Sequence, residues 1–208
     1  MPDDAPSDTP RRDLVAAATG PAATPAGGAP RFATAPPSSV LLPGDPPGRL
    51  RALVPEDWRL EQALSRTPDV PRWTYYPPDL SDDDARRRVD RSLERAQDGV
   101  AYRYAVVGPD GQVVGSAGTT VPEGVPEIFY ALLPAGRGRG LATRTVVALA
   151  DWALATGHDE VRLYTLEGNA ASEAVARRAG FVAGETRTTT ARGGVVETTT
   201  RWVRAAGS

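Results

Sequence analysis

The chain has 208 residues, with 24 basic and 26 acidic side chains for a formal charge of -2, one histidine and no cysteine. Those counts exclude disulfides, thiolate catalysis and cysteine-ligated metal, leave no histidine cluster for zinc, and lack the basic excess of a general nucleic-acid binder. No apolar run approaches the roughly 20 residues of a membrane span, and the acidic start Met1-Pro2-Asp3-Asp4 is unlike a basic secretory leader. A cytoplasmic protein with no membrane and no nucleic-acid partner is expected.

Residues 1–48 hold 11 of the 20 prolines, mixed with alanine, glycine, serine and threonine and without sustained periodicity. This composition predicts a disordered tail over 1–48; the apolar piece at 13–18 is too short to assign. The folded domain is expected over 49–204, with 205–208 as a short C-terminal tail.

From Arg49 the pattern changes. Leu50, Ala52 and Val54 alternate with Arg49, Arg51 and Leu53, a short strand stopped by Pro55. Residues 57–66 predict a helix. Ser81-Asp82-Asp83-Asp84 begins a second, with acids at the positive end of the helix dipole and a stop near Gly99. Strands over 102–107 and 113–120 flank Gly108-Pro109-Asp110-Gly111, a hairpin signal. Residues 128–133 form the next strand. Ala142, Val146, Leu149 and Ala153 then give one apolar helical face that ends at Gly157. Residues 161–166 are again a strand, and 169–179 a short helix, with Asn169 placed to cap its start and Gly180-Phe181 to close its end. Threonine- and valine-rich segments at 185–190 and 195–203, around Gly193-Gly194, predict a last hairpin. The order β-α-α-β-β-β-α-β-α-β-β is that of an α/β chain.

The turn Pro134-Ala135-Gly136-Arg137-Gly138-Arg139-Gly140-Leu141-Ala142-Thr143 joins a strand to a helix. The first helical turn leaves backbone N–H groups unpaired, the helix dipole favours negative charge there, and glycines let an anion approach the main chain, so a phosphorylated ligand is expected. A dinucleotide fingerprint is not completed, because Thr143 stands where its third glycine belongs and Arg162 where the ribose-binding acid is expected. A P-loop lacks its Gly-Lys-Ser/Thr. Arg137, Arg139 and Arg144 read equally well as a solvated basic face.

These motifs carry a family resemblance. Arg137-Gly138-Arg139-Gly140-Leu141-Ala142 resembles the Arg/Gln-x-x-Gly-x-Gly/Ala signature of the GNAT acyl-CoA N-acyltransferases. Asn169-Ala170-Ala171-Ser172, followed by Ala179-Gly180-Phe181, resembles elements of their ribosomal-protein N-terminal acetyltransferase (RimJ/RimL-like) branch, as does the aromatic-proline loop Trp73-Thr74-Tyr75-Tyr76-Pro77-Pro78. The resemblance covers residues 49–204. It implies a central mixed, twisted sheet of about seven strands flanked by about four helices, and acetyl transfer from acetyl-CoA to a primary amine without a metal.

It also implies roles for residues. The acetyl-CoA pyrophosphate would lie over the N–H groups of Gly138, Arg139, Gly140, Leu141, Ala142 and Thr143, with charge-assisted contacts from Arg137 and Arg139. The pantetheine arm would run between the strands at 128–133 and 161–166, and the N–H of Leu132 or Leu133 would hold the oxyanion. Ser172 would hydrogen-bond the departing thiolate, since Val175 stands where many members place a tyrosine; helix capping is its plainer role. Asn169 would bond the pantetheine, cap the helix, or do both. Trp73, Tyr75 and Tyr76 would form the acceptor wall or, equally, anchor the core. The branch's catalytic carboxylate aligns with Ala191, which leaves Glu127, Glu185 and Glu197, or a water relay, as candidate bases. His158 is expected in an exposed turn away from the chemistry. The acceptor is a protein N-terminus or a small-molecule amine; the competing class is a non-catalytic acyl-CoA sensor. The threonine-rich hairpin offers an edge for a homodimer.

Overall fold

The computed structural model describes residues 30–190 and 196–207. Among these, β1 (Ser39–Leu42), β2 (Gly48–Ala52), β3 (Ala101–Val107), β4 (Val113–Thr120), β5 (Glu127–Leu132), β6 (Glu160–Leu166), β7 (Val182–Thr190) and β8 (Val196–Ala205) form one sheet in the order β1-β2-β3-β4-β5-β6-β8-β7. Every neighbouring pair is antiparallel except β5 and β6, which are parallel. The helices are α1 (Trp58–Arg66), α2 (Asp69–Trp73), α3 (Asp82–Gln97), α4 (Leu141–Ala155) and α5 (Ala170–Arg178).

Two helical layers cover the sheet. Leu141, Val146, Leu149, Ala150 and Ala153 of α4 and Ala176 of α5 pack with Leu50, Val106, Ile128, Leu132, Val161, Leu163 and Trp202 on one face. On the other, Leu60, Leu64, Val70 and Tyr76 pack against Ala105 and Ala131, with a neighbouring cluster of Leu53, Trp58, Leu80, Ala85 and Val89. Each fully buried leucine contributes roughly 1.5–3 kcal/mol by leaving water. The predicted stripe of α4 is therefore the seam of the larger core. Gly180 adopts φ +81° and ends α5, and Phe181 is buried behind it, as that ending requires.

The second layer is fixed by a buried charge network. Glu61 of α1 is 0 % exposed, accepts from Arg88 Nε of α3 at 2.6 Å and lies 3.4 Å from Arg103 Nη1 of β3. Burial alone would push its carboxyl up, but the Arg103 and Arg88 charges and bonds from Arg88 and Tyr76 hold it below its ordinary value. Arg103 also lies over the Phe129 ring at 4.6 Å, so the network reaches β5.

Three expectations are corrected. The disordered tail over 1–48 is too long: Ser39–Leu42 pairs with β2, Leu42 is buried, and Phe32 packs on Tyr102 and Trp152 with centroids 5.6 and 5.1 Å apart. The strand hides in the sequence because it has only four residues and prolines on both sides. α2 was not expected, being one turn of helix containing Pro71. β7 begins at Val182, before the threonine run, and β8 extends to Ala205. The piece at 13–18, Ala191 and the Gly193-Gly194 turn lie outside the described residues.

Candidate active site

The turn between β5 and α4 has the backbone that its glycines predict. A 3-10 turn at Pro134–Gly136 leads to Arg137, and Gly138 and Gly140 adopt φ +73° and +68°. A Cβ at either glycine would meet nothing within 4 Å, so conformation rather than crowding calls for glycine, and the ground above the turn is open. Gly140 is the N-cap of α4 and offers no capping side chain. Leu141, Ala142 and Thr143 thus carry first-turn N–H donors that the helix itself leaves unused. These observations fit a pyrophosphate.

The arginines divide differently from expectation. Arg137 grips Asp69 of α2 through two bonds of 2.7 and 3.0 Å and donates Nε and Nη2 to the Leu132 carbonyl at 3.0 and 2.8 Å. The Arg137 hydrogen bond, ahead of its charge, holds the Asp69 carboxyl below its ordinary value. The expected phosphate contact of Arg137 is corrected to a brace between the turn, the end of β5 and α2. Arg144 donates to the carbonyls of Pro43 and Arg139, each at 3.1 Å, tying the β1–β2 loop to the same turn. Arg139 is half-exposed, 3.6 Å from Asp110, and is the arginine of the three best placed to turn outward.

β5 and β6 share a single rung, Glu127 with Arg162, where the Arg162 N–H donates to the Pro126 carbonyl at 2.8 Å. Beyond it β5 continues on β4 through Leu132, and β6 on β8 through Leu166, but the two no longer pair with each other. The cleft is the opening between them. Leu133 N–H donates to Val114 O at 2.9 Å, so alternation along an antiparallel strand turns the N–H groups of Tyr130 and Leu132 toward the cleft. Of the two oxyanion candidates, Leu133 is therefore corrected: its donor is spent inside the sheet, and Leu132 is the one that faces the opening.

Across the cleft, Asn169 Oδ1 accepts from the Ser172 N–H at 3.1 Å and caps α5. Tyr130, which the sequence reading missed, donates its O–H to Ser172 Oγ at 3.0 Å. Burial raises the Tyr130 phenol above its ordinary pKa, against a smaller opposing effect of the Ser172 bond, so it stays a protonated donor. With its acceptor capacity engaged, Ser172 retains its own proton for another partner. The signal for Tyr130 was its even register with Leu132 on the strand edge. Val175 is part-buried against the core.

Of the remaining candidates, Tyr76 lies on the opposite sheet face. Of its two expected roles Tyr76 takes that of core anchor and not acceptor wall: it is 7 % exposed, and its O–H donates to Glu61 at 3.1 Å. Trp73 is part-buried, and its Cη2 lies 3.8 Å from where a Cβ on Gly168 would be, so it reaches the turn before α5. Tyr75 is 52 % exposed, and both the Glu197 and Glu127 carboxylates act on its phenol. Glu185 is half-exposed and bound to Arg187 at 3.0 Å, which lowers its carboxyl and makes it a poor base. Glu127 is 8 % exposed. Burial pushes its carboxyl up to about 7, against the Arg162 charge and a Tyr164 hydrogen bond and with Glu123 adding to the rise. His158 follows α4 and packs on Phe32 at 5.7 Å, away from the cleft. Among the described residues no helix is long and apolar enough to cross a membrane, and no group of three or more His, Cys, Asp or Glu is placed to hold a metal.

Parallel strands that part after one rung, with a glycine-lined helix N-terminus at their open end, define a transferase built to hold a long phosphorylated thioester. The family model described as an acetyltransferase (GNAT) domain matches residues 49–182, and the chain belongs to that family. No curated protein matches the sequence. Among solved structures, the chain is similar to RimL, a ribosomal-protein alpha-N-acetyltransferase in complex with coenzyme A, with 20% identity, TM-score 0.71 and coverage of 80% of this chain and 98% of that one. The microcin self-immunity acetyltransferase MccE, in complex with acetyl-CoA and AMP, gives 15% identity and TM-score 0.69 over 76% of this chain and 92% of its own. Spermidine N-acetyltransferase from Vibrio cholerae, with CoA and spermine, gives 16% and 0.66 over 76% and 95%. The protein is an acetyltransferase of the GNAT family.

Proposed function

We propose that acetyl transfer to a primary amine takes place where β5 and β6 part, by direct attack within a ternary complex. The single rung at Glu127 and Arg162 carries this reading, because it opens one edge of β5 to an extended ligand while the other edge stays paired with β4. The pyrophosphate is held by the N–H groups from Gly138 through Arg139, Gly140, Leu141 and Ala142 to Thr143, where donors are aimed by the backbone at no reorganisation cost. Arg139 adds charge. Arg137 acts indirectly, by holding the Leu132 carbonyl and so the strand end whose N–H meets the oxyanion. The pantetheine takes the edge vacated between β5 and β6, beside Asn169.

At the leaving group, Ser172 donates its remaining proton as a hydrogen bond to the thiolate while Tyr130 fixes the hydroxyl from behind. A serine hydroxyl is a weak acid, so stabilisation of the sulfur's charge matters more than complete proton transfer. Trp73 and Tyr75 line the acceptor approach. The acceptor is an N-terminal α-amine or a small amine: RimL is a ribosomal-protein alpha-N-acetyltransferase and the Vibrio cholerae enzyme a spermidine N-acetyltransferase. An α-amine with a pKa near 8 is partly neutral at pH 7, whereas an alkyl amine near 10 needs a base. The reading includes a cytoplasmic setting, where acetyl-CoA is a soluble metabolite, and a domain that begins at β1.

The test is a panel of peptides and small amines incubated with acetyl-CoA, reading free CoA thiol and product mass together. Equimolar thiol and acetylated amine are expected. Binding of acetyl-CoA with no product from any amine would favour the sensor class; no binding of any acyl-CoA would reject both.

A further inference from the structure

The chain ahead of β2 reaches the glycine turn from outside the matched family domain. β1 and the loop after it, residues 39–47, precede residues 49–182, which the family model matches. Val40 and Leu42 of β1 pack into the core that Leu141 and Val146 of α4 share, and Leu42 is fully buried. The loop is pressed onto the start of α4 at two glycines. A Cβ at Gly48 would lie 2.7 Å from Leu141 Cδ2, and one at Gly44 would run into the Arg144 guanidinium. Neither position admits a side chain without moving what it touches.

Arg144 carries that contact into the turn itself. It stands one turn into α4, and helical side chains lean toward the N-terminus, so its guanidinium returns to the loop. Nη1 donates to the Pro43 carbonyl and Nη2 to the Arg139 carbonyl, each at 3.1 Å, and Nε is buried with no acceptor among the described residues. The peptide between Arg139 and Gly140 is planar and trans. A carbonyl held toward Arg144 therefore sends the Gly140 N–H to the opposite side, away from the β1–β2 loop. Among the described residues nothing accepts from the N–H groups of Gly138, Arg139 or Gly140. A peptide followed by glycine flips at little cost, so the Arg144 bond is what selects one of its two orientations.

We propose that Arg144 is a positioning residue of the donor site, anchored on the β1–β2 loop, and that by holding the Arg139 carbonyl it aims the Gly140 N–H at the pyrophosphate. The proposal rests on the pyrophosphate reading above. It makes residues 39–47, which lie ahead of the matched family domain, a working part of the acetyl-CoA site. Arg144 commits its donors to two carbonyls, so it acts through the backbone and not by touching the ligand. Its effect is confined to donors that carry a pyrophosphate, and it does not depend on the reach of its own charge.

The experiment measures Kd by calorimetry on the full chain for acetyl-CoA and for S-acetylpantetheine, which lacks the pyrophosphate, in the wild type, Arg144→Ala, Gly44→Ala and the double variant. Arg144→Ala should raise the acetyl-CoA Kd about 10-fold, as expected for one lost hydrogen bond to a charged group, and leave the affinity for S-acetylpantetheine unchanged. Gly44→Ala, which pushes the guanidinium from its place, should match it. The double variant should lose no more than either single one, because both break the same clamp. The loss should persist from about 0.05 M to about 0.5 M salt, over which a direct charge contact would fade. Unchanged acetyl-CoA affinity in Arg144→Ala, equal losses for the two donors, losses that multiply in the double variant, or a loss that disappears with salt would each overturn the assignment. A wild type that binds S-acetylpantetheine as tightly as acetyl-CoA, or binds neither, would overturn this inference together with the reading beneath it.

Discussion

The two sides of the cleft are made of different materials. On the proposed donor side the groups are main-chain donors: the N–H groups of the Gly138-to-Thr143 turn and of the Leu132 edge, set by left-handed glycines and a strand that loses its neighbour. Side chains there act as braces, as Arg137 does between Asp69 and the Leu132 carbonyl. On the proposed acceptor side the groups are side chains from β5, β6, β8 and the loop after α2, on the sheet face that also carries the buried Glu61 network. Backbone donors tolerate sequence change; a side-chain constellation does not.

The harshest way to break that contrast is Glu61→Ala, which leaves Arg88 and Arg103 buried without their acid and should cost about 3–5 kcal/mol in denaturant unfolding. Because the folded Glu61 carboxyl is held below its ordinary value, its stabilisation is complete above pH 4.5 and is lost as pH falls through the lowered value. The wild-type advantage should accordingly shrink on acidification. An equal advantage at acid and neutral pH would show that the network is not what holds the acceptor side.

Ser172→Ala tests the donor side, with a loss on the order of 100-fold in kcat and an unchanged KM for acetyl-CoA. Unchanged turnover would reduce Ser172 to a residue of the α5 cap. Glu127→Gln carries a second, opposite pH signature in stability. The folded carboxyl titrates at about 7, above its ordinary 4.5, so wild-type stability declines as pH rises through that window. Glutamine has no such decline, and the variant should gain roughly 3 kcal/mol over wild type at pH 8 relative to pH 4. A melting-temperature difference that is flat with pH would contradict the raised carboxyl. The smallest effect is expected from Tyr130→Phe, which removes one hydrogen bond to Ser172, roughly 1 kcal/mol, and should lower kcat about fivefold without altering acetyl-CoA binding. A larger loss of binding than of kcat would move Tyr130 from positioning Ser172 to holding the donor.

Legibility followed the same division. Gly138, Gly140 and the apolar stripe at Val146, Leu149 and Ala153 announce a strand-to-helix turn because φ angles and helical period are local properties. Asn169 at the start of α5 and Gly180-Phe181 at its end were legible for the same reason. The parting of β5 and β6 was accessible only through resemblance, since no residue within either strand encodes the absence of a neighbour. β1 escaped notice because four residues between prolines make too short a pattern, and its partner β2 supplies what its own propensity lacks.

The site residues that the sequence left open or missed all depend on distant partners. Tyr76 belongs to the core because Glu61 lies 3.1 Å from its hydroxyl, and Leu133 is spent because Val114 accepts its N–H at 2.9 Å. Tyr130 gained a role from Ser172, 42 residues later. The sequence by itself determined most of the elements and the glycine turn, and thereby a phosphorylated ligand, through backbone conformation and side-chain period, which act over a few residues. Which arginine is free to meet a phosphate, which backbone N–H faces the cleft and which carboxyl is buried enough to titrate near neutrality were decided by tertiary structure alone, because hydrogen-bond partners and desolvation are set by groups brought together only when the chain folds.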